Sequence, residues 1–337
     1  KTLKTPRIIA IEPTCMQYAQ QAVSSQLVEA IEGDSLLGSF IGFTDQVPNQ
    51  NLALEGSLLG NLATLDLSEA SDRVSNQLVR DLFSNHRWLH AAVDGSRSRK
   101  ADVPGYGVIR LAKFASMGSA LCFPVEAMVF LAVCFVGIEK KLNTQLNHRL
   151  LKQFVGSVRV YGDDIIVPVD YVHHVIDSLE AYGFKVGSDK SFWTGKFRES
   201  CGKEYYAGQD VSIVKFRRMY PSSREDVAEV VSLVSFRNQL YWTGYWETVR
   251  ALDEEIKRLL GHFPLVSSTS EILGRESCLE PTGSRWDPRL HIPLVKGYVS
   301  VAKLPRNEVV DQHALLKFFL KRSEKPLEIE HMQRSGR

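Results

Sequence analysis

The 337-residue sequence has no Cys-x-x-Cys pair and no Cys/His spacing of the kind that holds zinc. Its five cysteines, Cys15, Cys122, Cys134, Cys201 and Cys278, are scattered. This argues against a structural zinc site, and the odd number with apolar neighbours suits reduced thiols in a cytosolic protein. A large charge of either sign is also missing. With a net charge of +2, any nucleic-acid surface has to be local rather than global. There is no internal repeat and no low-complexity bulk, which argues against a solenoid or a disordered chain. No signal peptide is visible. The most apolar run, residues 120–138, contains Pro124 and Glu126 and reads as a buried helix rather than a membrane span. The first residue is Lys1 rather than Met, in what reads as mid-domain sequence, so the chain is expected to be a fragment or a processed piece of something longer.

What is present is a mixture of helix and strand signals. A helix is expected around Tyr18–Glu32, then a Gly-, Asn- and Gln-rich connection to Gly60. Asn61–Leu67 reads as a strand. Ser68–Ser84 reads as one helix, with Val74, Leu78 and Leu82 on one face and Ser68, Ser71 or Asp72 as its cap. Asp94–Pro104 reads as a charged loop. Ser157–Val160 and Ile165–Val169 read as strands, Val172–Tyr182 as an amphipathic helix closed by Gly183, and Phe192–Phe216 as a pair of strands. Two helical stripes follow: Val227, Val230, Val231 and Val234, then Val249, Leu252, Ile256 and Leu259. The last seventy or so residues look irregular. The whole suggests an α+β core with a helical appendage.

The most informative run is Tyr161-Gly162-Asp163-Asp164. Two adjacent carboxylates at a tight strand-to-strand turn repel each other, and burying them is costly unless a cation sits beside them. Gly162 permits the sharp turn. Alone, the run is an ordinary solvated hairpin tip. In company it becomes a metal-holding device. If the strand ending at Asp66 lies beside this hairpin, Asp66, Asp163 and Asp164 converge and can share two Mg²⁺ ions for phosphoryl transfer. Ser116-Met117-Gly118 can approach a nucleotide at a helix start, or be a plain loop-to-helix turn. Ser71 and Asp72 lie within reach of a ribose 2′-hydroxyl, or cap a helix. Lys1, Lys4 and Arg7 can hold a triphosphate, or form a solvated basic end. Lys190 is a candidate proton donor to the leaving pyrophosphate, or a surface lysine. The mixed run 197–206, with Arg198 and Lys203, is expected to grip an RNA backbone. The pair His173-His174 lies on an amphipathic helix without a third ligand and is set aside.

In this order the segments resemble the RNA-directed RNA polymerase of positive-strand RNA bacteriophages, the levivirus replicase catalytic (beta) subunit. Asp66-Leu67-Ser68-Glu69-Ala70-Ser71-Asp72 is similar to that family's motif A. Ser116-Met117-Gly118 with Phe123 and Glu126 is similar to motif B, and Tyr161–Ile166 to motif C. Tyr182-Gly183-Phe184 with Lys190 and Phe192 is similar to motif D, and Phe197-Arg198-Glu199-Ser200-Cys201-Gly202 to motif E. Lys1, Lys4, Arg7, Glu12 and Pro13 fall where motif F has its basic residues and Glu-Pro. Ser119 and Cys122 stand where the family carries Asn and Thr in motif B, and Ile11 where well-studied members carry a lysine.

The resemblance covers roughly residues 1–220. It implies a right-hand polymerase fold, with a palm of antiparallel sheet backed by helices, fingers truncated at their N-terminus, and a helical thumb. The implied division is 1–60 partial fingers with motif F, 61–84 palm, 85–115 fingers insertion, 116–220 palm, and 221–337 thumb and C-terminal region. It also implies RNA template and product, ribonucleoside triphosphates, two Mg²⁺, host elongation factors Tu and Ts with a ribosomal protein, no membrane, and the cytoplasm of a bacterial host. A mitovirus- or narnavirus-type polymerase, or a non-catalytic RNA-binding remnant of a replicase, stand as the alternatives.

Overall fold

A computed structural model gives the fold and describes residues 9–279 and 285–301 together with Leu316. Lys1, Lys4 and Arg7 lie outside the described residues. The rest falls into two compact units that divide between Ser212 and Ile213.

The first unit runs α1 (Thr14–Gly33), α2 (Leu37–Phe40), α3 (Val47–Leu59), β1 (Leu62–Ser68), α4 (Ala70–Arg73), α5 (Asn76–Leu82), α6 (Arg87–Ser96), β2 (Lys100–Val103), β3 (Gly107–Arg110), α7 (Cys122–Leu142), α8 (His148–Leu151), β4 (Arg159–Tyr161), β5 (Asp164–Pro168), α9 (Val172–Ala181), β6 (Lys185–Val186), β7 (Phe197–Ser200), β8 (Lys203–Tyr206) and β9 (Gln209–Asp210). Its main sheet has the order β4-β5-β1-β6, and every neighbouring pair is antiparallel. Successive strand residues face opposite ways. Ala63, Leu65 and Leu67 enter the core formed with α7 and α9, while α3 and the β7–β8 hairpin also pack against β1. This explains why β1 is buried almost without alternation. α7 is long and apolar enough to cross a membrane, but its Val125, Phe130, Cys134 and Ile138 are wholly buried in the core.

Three local expectations are corrected. The connection before Gly60 contains a 13-residue helix, α3. Its buried face is Asn49, Ala53, Gly56 and Ser57, small or polar residues that lie close to β1 and give no apolar stripe to read. The single helix over Ser68–Ser84 is broken. Glu69 is left-handed at φ +54° and Val74 is extended, because Val74 and Asn76 bond to the 112–114 segment: the Phe114 N–H donates to Val74 O at 2.8 Å and the Asn76 N–H to Ala112 O at 3.0 Å. The cap of the second piece is Ser75, whose hydroxyl accepts from the Leu78 N–H. The charged loop over 94–104 is the end of α6 followed by a hairpin, β2–β3.

The second unit pairs α10 (Val227–Trp242) with α11 (Trp246–Leu260), followed by β10 (Ile272–Leu273), β11 (Arg285–Asp287), β12 (Ile292–Leu294) and β13 (Tyr298–Val299). Its core is Val230, Leu233, Val234, Ile256, Leu260 and Phe263. The first expected stripe is rotated: Val227 and Val231 lie on the exposed side of the helix and Leu233 takes their place in the core. Arg237, nearly buried, forms a two-pronged pair with Asp253, at 2.6 Å and 3.0 Å.

Candidate active site

The hairpin between β4 and β5 has a two-residue turn, Gly162-Asp163, with Tyr161 opposite Asp164. Gly162 has φ +60°, a conformation that costs a glycine little. A Cβ there would also lie 2.4 Å from the Phe123 ring. That ring sits edge-on to Tyr161 and Phe43, and the Tyr161 hydroxyl donates to Phe43 O at 3.0 Å. The turn is therefore seated on an aromatic cushion.

The register of β1 against β5 places Asp66 directly opposite Asp164. With Asp163 next to it in the turn, the three sequence-predicted carboxylates occupy one end of the sheet. Their mutual influence is visible at Asp164, whose carboxyl is pushed up to about 6 by burial and by the charges of Asp163 and Asp66, against the lowering effect of the Cys201 N–H. The Ser200 hydroxyl lies 3.5 Å from Asp164 Oδ1. The Lys190 ammonium lies 4.0 Å from Asp66 Oδ1. The Asp66 backbone is held by Gly187 and Ser191.

As the side chains stand, no group of three or more His, Cys, Asp or Glu among the described residues is arranged to hold an ion. The donor set nevertheless suits one. Carboxylate oxygens are hard ligands of the kind Mg²⁺ takes, and a carboxyl raised by burial and by like-charged neighbours is one that a cation would return to the ionised form.

Other sequence-predicted residues are distributed around this centre. Asp72 pairs with Lys113 at 2.5 Å. Ser71 lies near the Cys122 thiol, which donates to Glu126 Oε2 at 3.8 Å. The Ser116–Gly118 loop is bound to the start of the described chain, where the Ala10 N–H donates to Met117 O at 2.8 Å. Gly118 has φ +112°, and a Cβ there would fall 2.2 Å from Ala10 O. Lys203 pairs with Asp210 at 2.7 Å.

The expected RNA contact through Arg198 is overturned. Its side chain is fully buried and donates to the carbonyls of Leu62 at 2.5 Å, Phe197 at 2.6 Å, Gly195 at 3.2 Å and Thr194 at 3.4 Å. It ties the β7 hairpin to the start of β1 and presents nothing to a phosphate.

Sequence reading also gave no role to Glu126 and Cys201. Glu126 is the buried carboxylate of the apolar helix α7. Burial, then Asp163 and Asp72, push its carboxyl up to about 8. An acid inside an otherwise apolar run was the available signal. Cys201 occupies the turn between β7 and β8 at φ +49°; burial and the nearby Asp164 push its thiol up to about 12.

The family model described as RNA replicase, beta-chain matches residues 1–254. The RNA-directed RNA polymerase subunit beta of Qbeta virus (strain MX1) is 35% identical over 253 residues, covering 73% of this chain and 39% of that protein. The corresponding subunit of Enterobacteria phage SP is 38% identical over 218 residues, 65% of this chain and 35% of that one. The RNA-directed RNA polymerase beta chain of Escherichia phage MS2 is 36% identical over 211 residues, 63% of this chain and 35% of its own length. This chain thus spans less than two-fifths of the curated relatives it matches. The model match and the first of these relatives each cover more than two-thirds of the chain, which therefore belongs to the RNA replicase beta-chain family.

Proposed function

We propose that the chain carries the nucleotidyl-transfer centre of a template-directed RNA polymerase of an RNA phage. The carrying observation is the strand register that sets Asp66 against Asp164 beside the Asp163 turn. Asp66, Asp163 and Asp164 are the residues that would hold two Mg²⁺. Bound there, the ions would lower the pKa of an attacking 3′-hydroxyl and neutralise the charge of the leaving pyrophosphate. Lys190, whose ammonium lies 4.0 Å from Asp66 Oδ1, would carry a proton to the departing group. Ser71 and Asp72 read the sugar, with Asp72 oriented by Lys113. Ser116 and Gly118 approach the nascent pair through backbone. Lys1, Lys4 and Arg7 are assigned to the triphosphate and Lys203 to the RNA backbone on the strength of the resemblance.

In this reading the β4-β5-β1-β6 sheet with α7 and α9 is the palm of a right-hand fold, residues 1–60 and 85–115 are fingers, and 221–337 contain the thumb. The partners are RNA template and product, ribonucleoside triphosphates and, by analogy with the family, elongation factors Tu and Ts and a ribosomal protein in the bacterial cytoplasm. The test is RNA extension with Mg²⁺ by the protein expressed from its complete reading frame. Asp163→Asn should abolish extension and leave RNA binding largely intact. Extension at the unmodified rate in that variant would refute the assignment of metal ligands, and RNA binding with no extension by the unmodified protein would favour a non-catalytic remnant.

A further inference from the structure

Gln20 lies on α1, far in sequence from every catalytic segment, yet its side chain is fully buried. A primary amide has two N–H donors and two acceptor positions on its oxygen, and here all four are used. Nε2 donates to Ser96 O at 2.9 Å and to Glu12 Oε2 at 3.3 Å. Oε1 accepts from the Ser119 hydroxyl at 3.0 Å and from the Ala120 N–H at 3.1 Å. The amide orientation follows from these partners, since a hydroxyl and an N–H face one end and a carbonyl and a carboxylate the other.

The four partners come from three segments. Ser119 and Ala120 belong to the Ser116–Ala120 loop that precedes α7. Glu12 continues the segment whose Ala10 N–H is bound to Met117 O in that loop, and it also accepts from the Ser98 hydroxyl at 2.5 Å. Ser96 closes α6. Ser119 in turn accepts from the Leu121 N–H at 3.3 Å, so the entry to α7 is fixed through the same hydroxyl. We infer that Gln20 is a positioning residue for nucleotide binding: it holds the 116–120 loop and the segment leading back toward the basic N-terminal residues in one fixed relation. The chemistry is specific to an amide of this length. A carboxylate at position 20 would face two acceptors without a donor, and an apolar side chain would take the side-chain partner from the buried Ser96 O and from the Ala120 N–H.

This role rests on the polymerase reading, and one experiment separates the two. Steady-state RNA synthesis is measured on the protein expressed from its complete reading frame, for the unmodified protein, Gln20→Met, Ser119→Ala and the double variant. The loop binds nucleotide and takes no part in bond making, so KM for the ribonucleotide should rise at least about fivefold in each single variant, the weight of one or more lost hydrogen bonds. kcat should stay within about twofold, and the double variant should be no worse than Gln20→Met alone, because both changes break one network. An unchanged KM in both single variants, or a fall in kcat at constant KM, overturns the positioning role while leaving the polymerase reading in place. If Gln20→Met does not fold, Ser119→Ala decides alone by the same KM criterion. No synthesis by the unmodified protein overturns the polymerase reading and the positioning role with it.

Discussion

Replacing Gly162 by alanine tests the seat of the acidic turn. Two costs follow from the structure. A side chain at φ +60° loses about 1–2 kcal/mol relative to glycine. The new methyl would also lie 2.4 Å from Phe123 Cε2, and relieving such an overlap in a packed site costs about 1–3 kcal/mol. Phe123 cannot swing away cheaply, because Tyr161 and Phe43 brace it at centroid distances of 5.4 Å and 6.1 Å. The expected loss is about 2–5 kcal/mol in urea unfolding. The activity should fall further than the stability, because Asp163 rides on the turn and a displacement near 1 Å can cost about a hundredfold in rate. Phe123→Leu opens the space and should recover the steric part but not the conformational part, so the double-mutant cycle should show a favourable coupling of about 1–3 kcal/mol. A Gly162→Ala protein with unmodified stability and extension rate, or a cycle with no coupling, would refute the view that the aromatic cushion sets the turn.

Three further outcomes are expected. Arg198→Met should lower unfolding free energy by about 2–4 kcal/mol, since it strands buried carbonyls, yet leave the salt dependence of RNA binding unaltered; a slope reduced by about one would restore the phosphate contact. Asp253→Asn should destabilise the second unit by about 2–4 kcal/mol by leaving Arg237 without its counter-charge, and Arg237→Leu combined with Asp253→Leu should recover most of that loss in thermal melts. For Asp94, burial pulls the carboxyl up, but the Arg97 hydrogen bond and the charges of Arg99, Arg97 and Arg80 outweigh it and hold the group below the usual carboxylate range. A depressed folded-state value contributes stability above the unfolded value of about 3.9, and that contribution is lost as pH falls through the folded one. The stability gap between the unmodified protein and Asp94→Asn should be constant near neutrality and narrow below about pH 4; a gap that widens there would contradict the pairing.

The strand and turn signals that frame the site were legible because they depend on local chemistry. An apolar run ending in Asp66 and a Gly-Asp turn between two apolar runs are dictated by neighbours in sequence. What escaped depends on distant partners. α3 buries Asn49, Gly56 and Ser57, so its inner face carries no apolar period. The break at Val74 exists because the 112–114 segment competes for its backbone hydrogen bonds. Arg198 looked like a phosphate ligand because an arginine on a short strand beside Glu199 and Ser200 is normally exposed; the carbonyls that surround it come from Leu62 and from the turn before β7, and no local pattern announces them.

The distribution of charge around the turn is itself an argument about function. Burial first, and then the charges of neighbouring acids, raise two carboxyls near the turn: Asp164, close to Asp163 and Asp66, to about 6, and Glu126, close to Asp163 and Asp72, to about 8. A fold selected only for stability would not collect acids in this way, because each raised carboxyl marks interaction energy that opposes folding with the group ionised. Lys190 and Lys113 offset part of this at the margins, through Asp66 and Asp72. The remaining field is what a divalent cation bound to carboxylate oxygens would neutralise, so metal binding and folding are expected to be linked: Mg²⁺ should raise the unfolding midpoint of the unmodified protein by mass action, and Asp164→Asn should both raise the midpoint without metal and weaken its response to Mg²⁺. A midpoint indifferent to Mg²⁺ in the unmodified protein would mean that the acidic cluster is tolerated for some reason other than a cation.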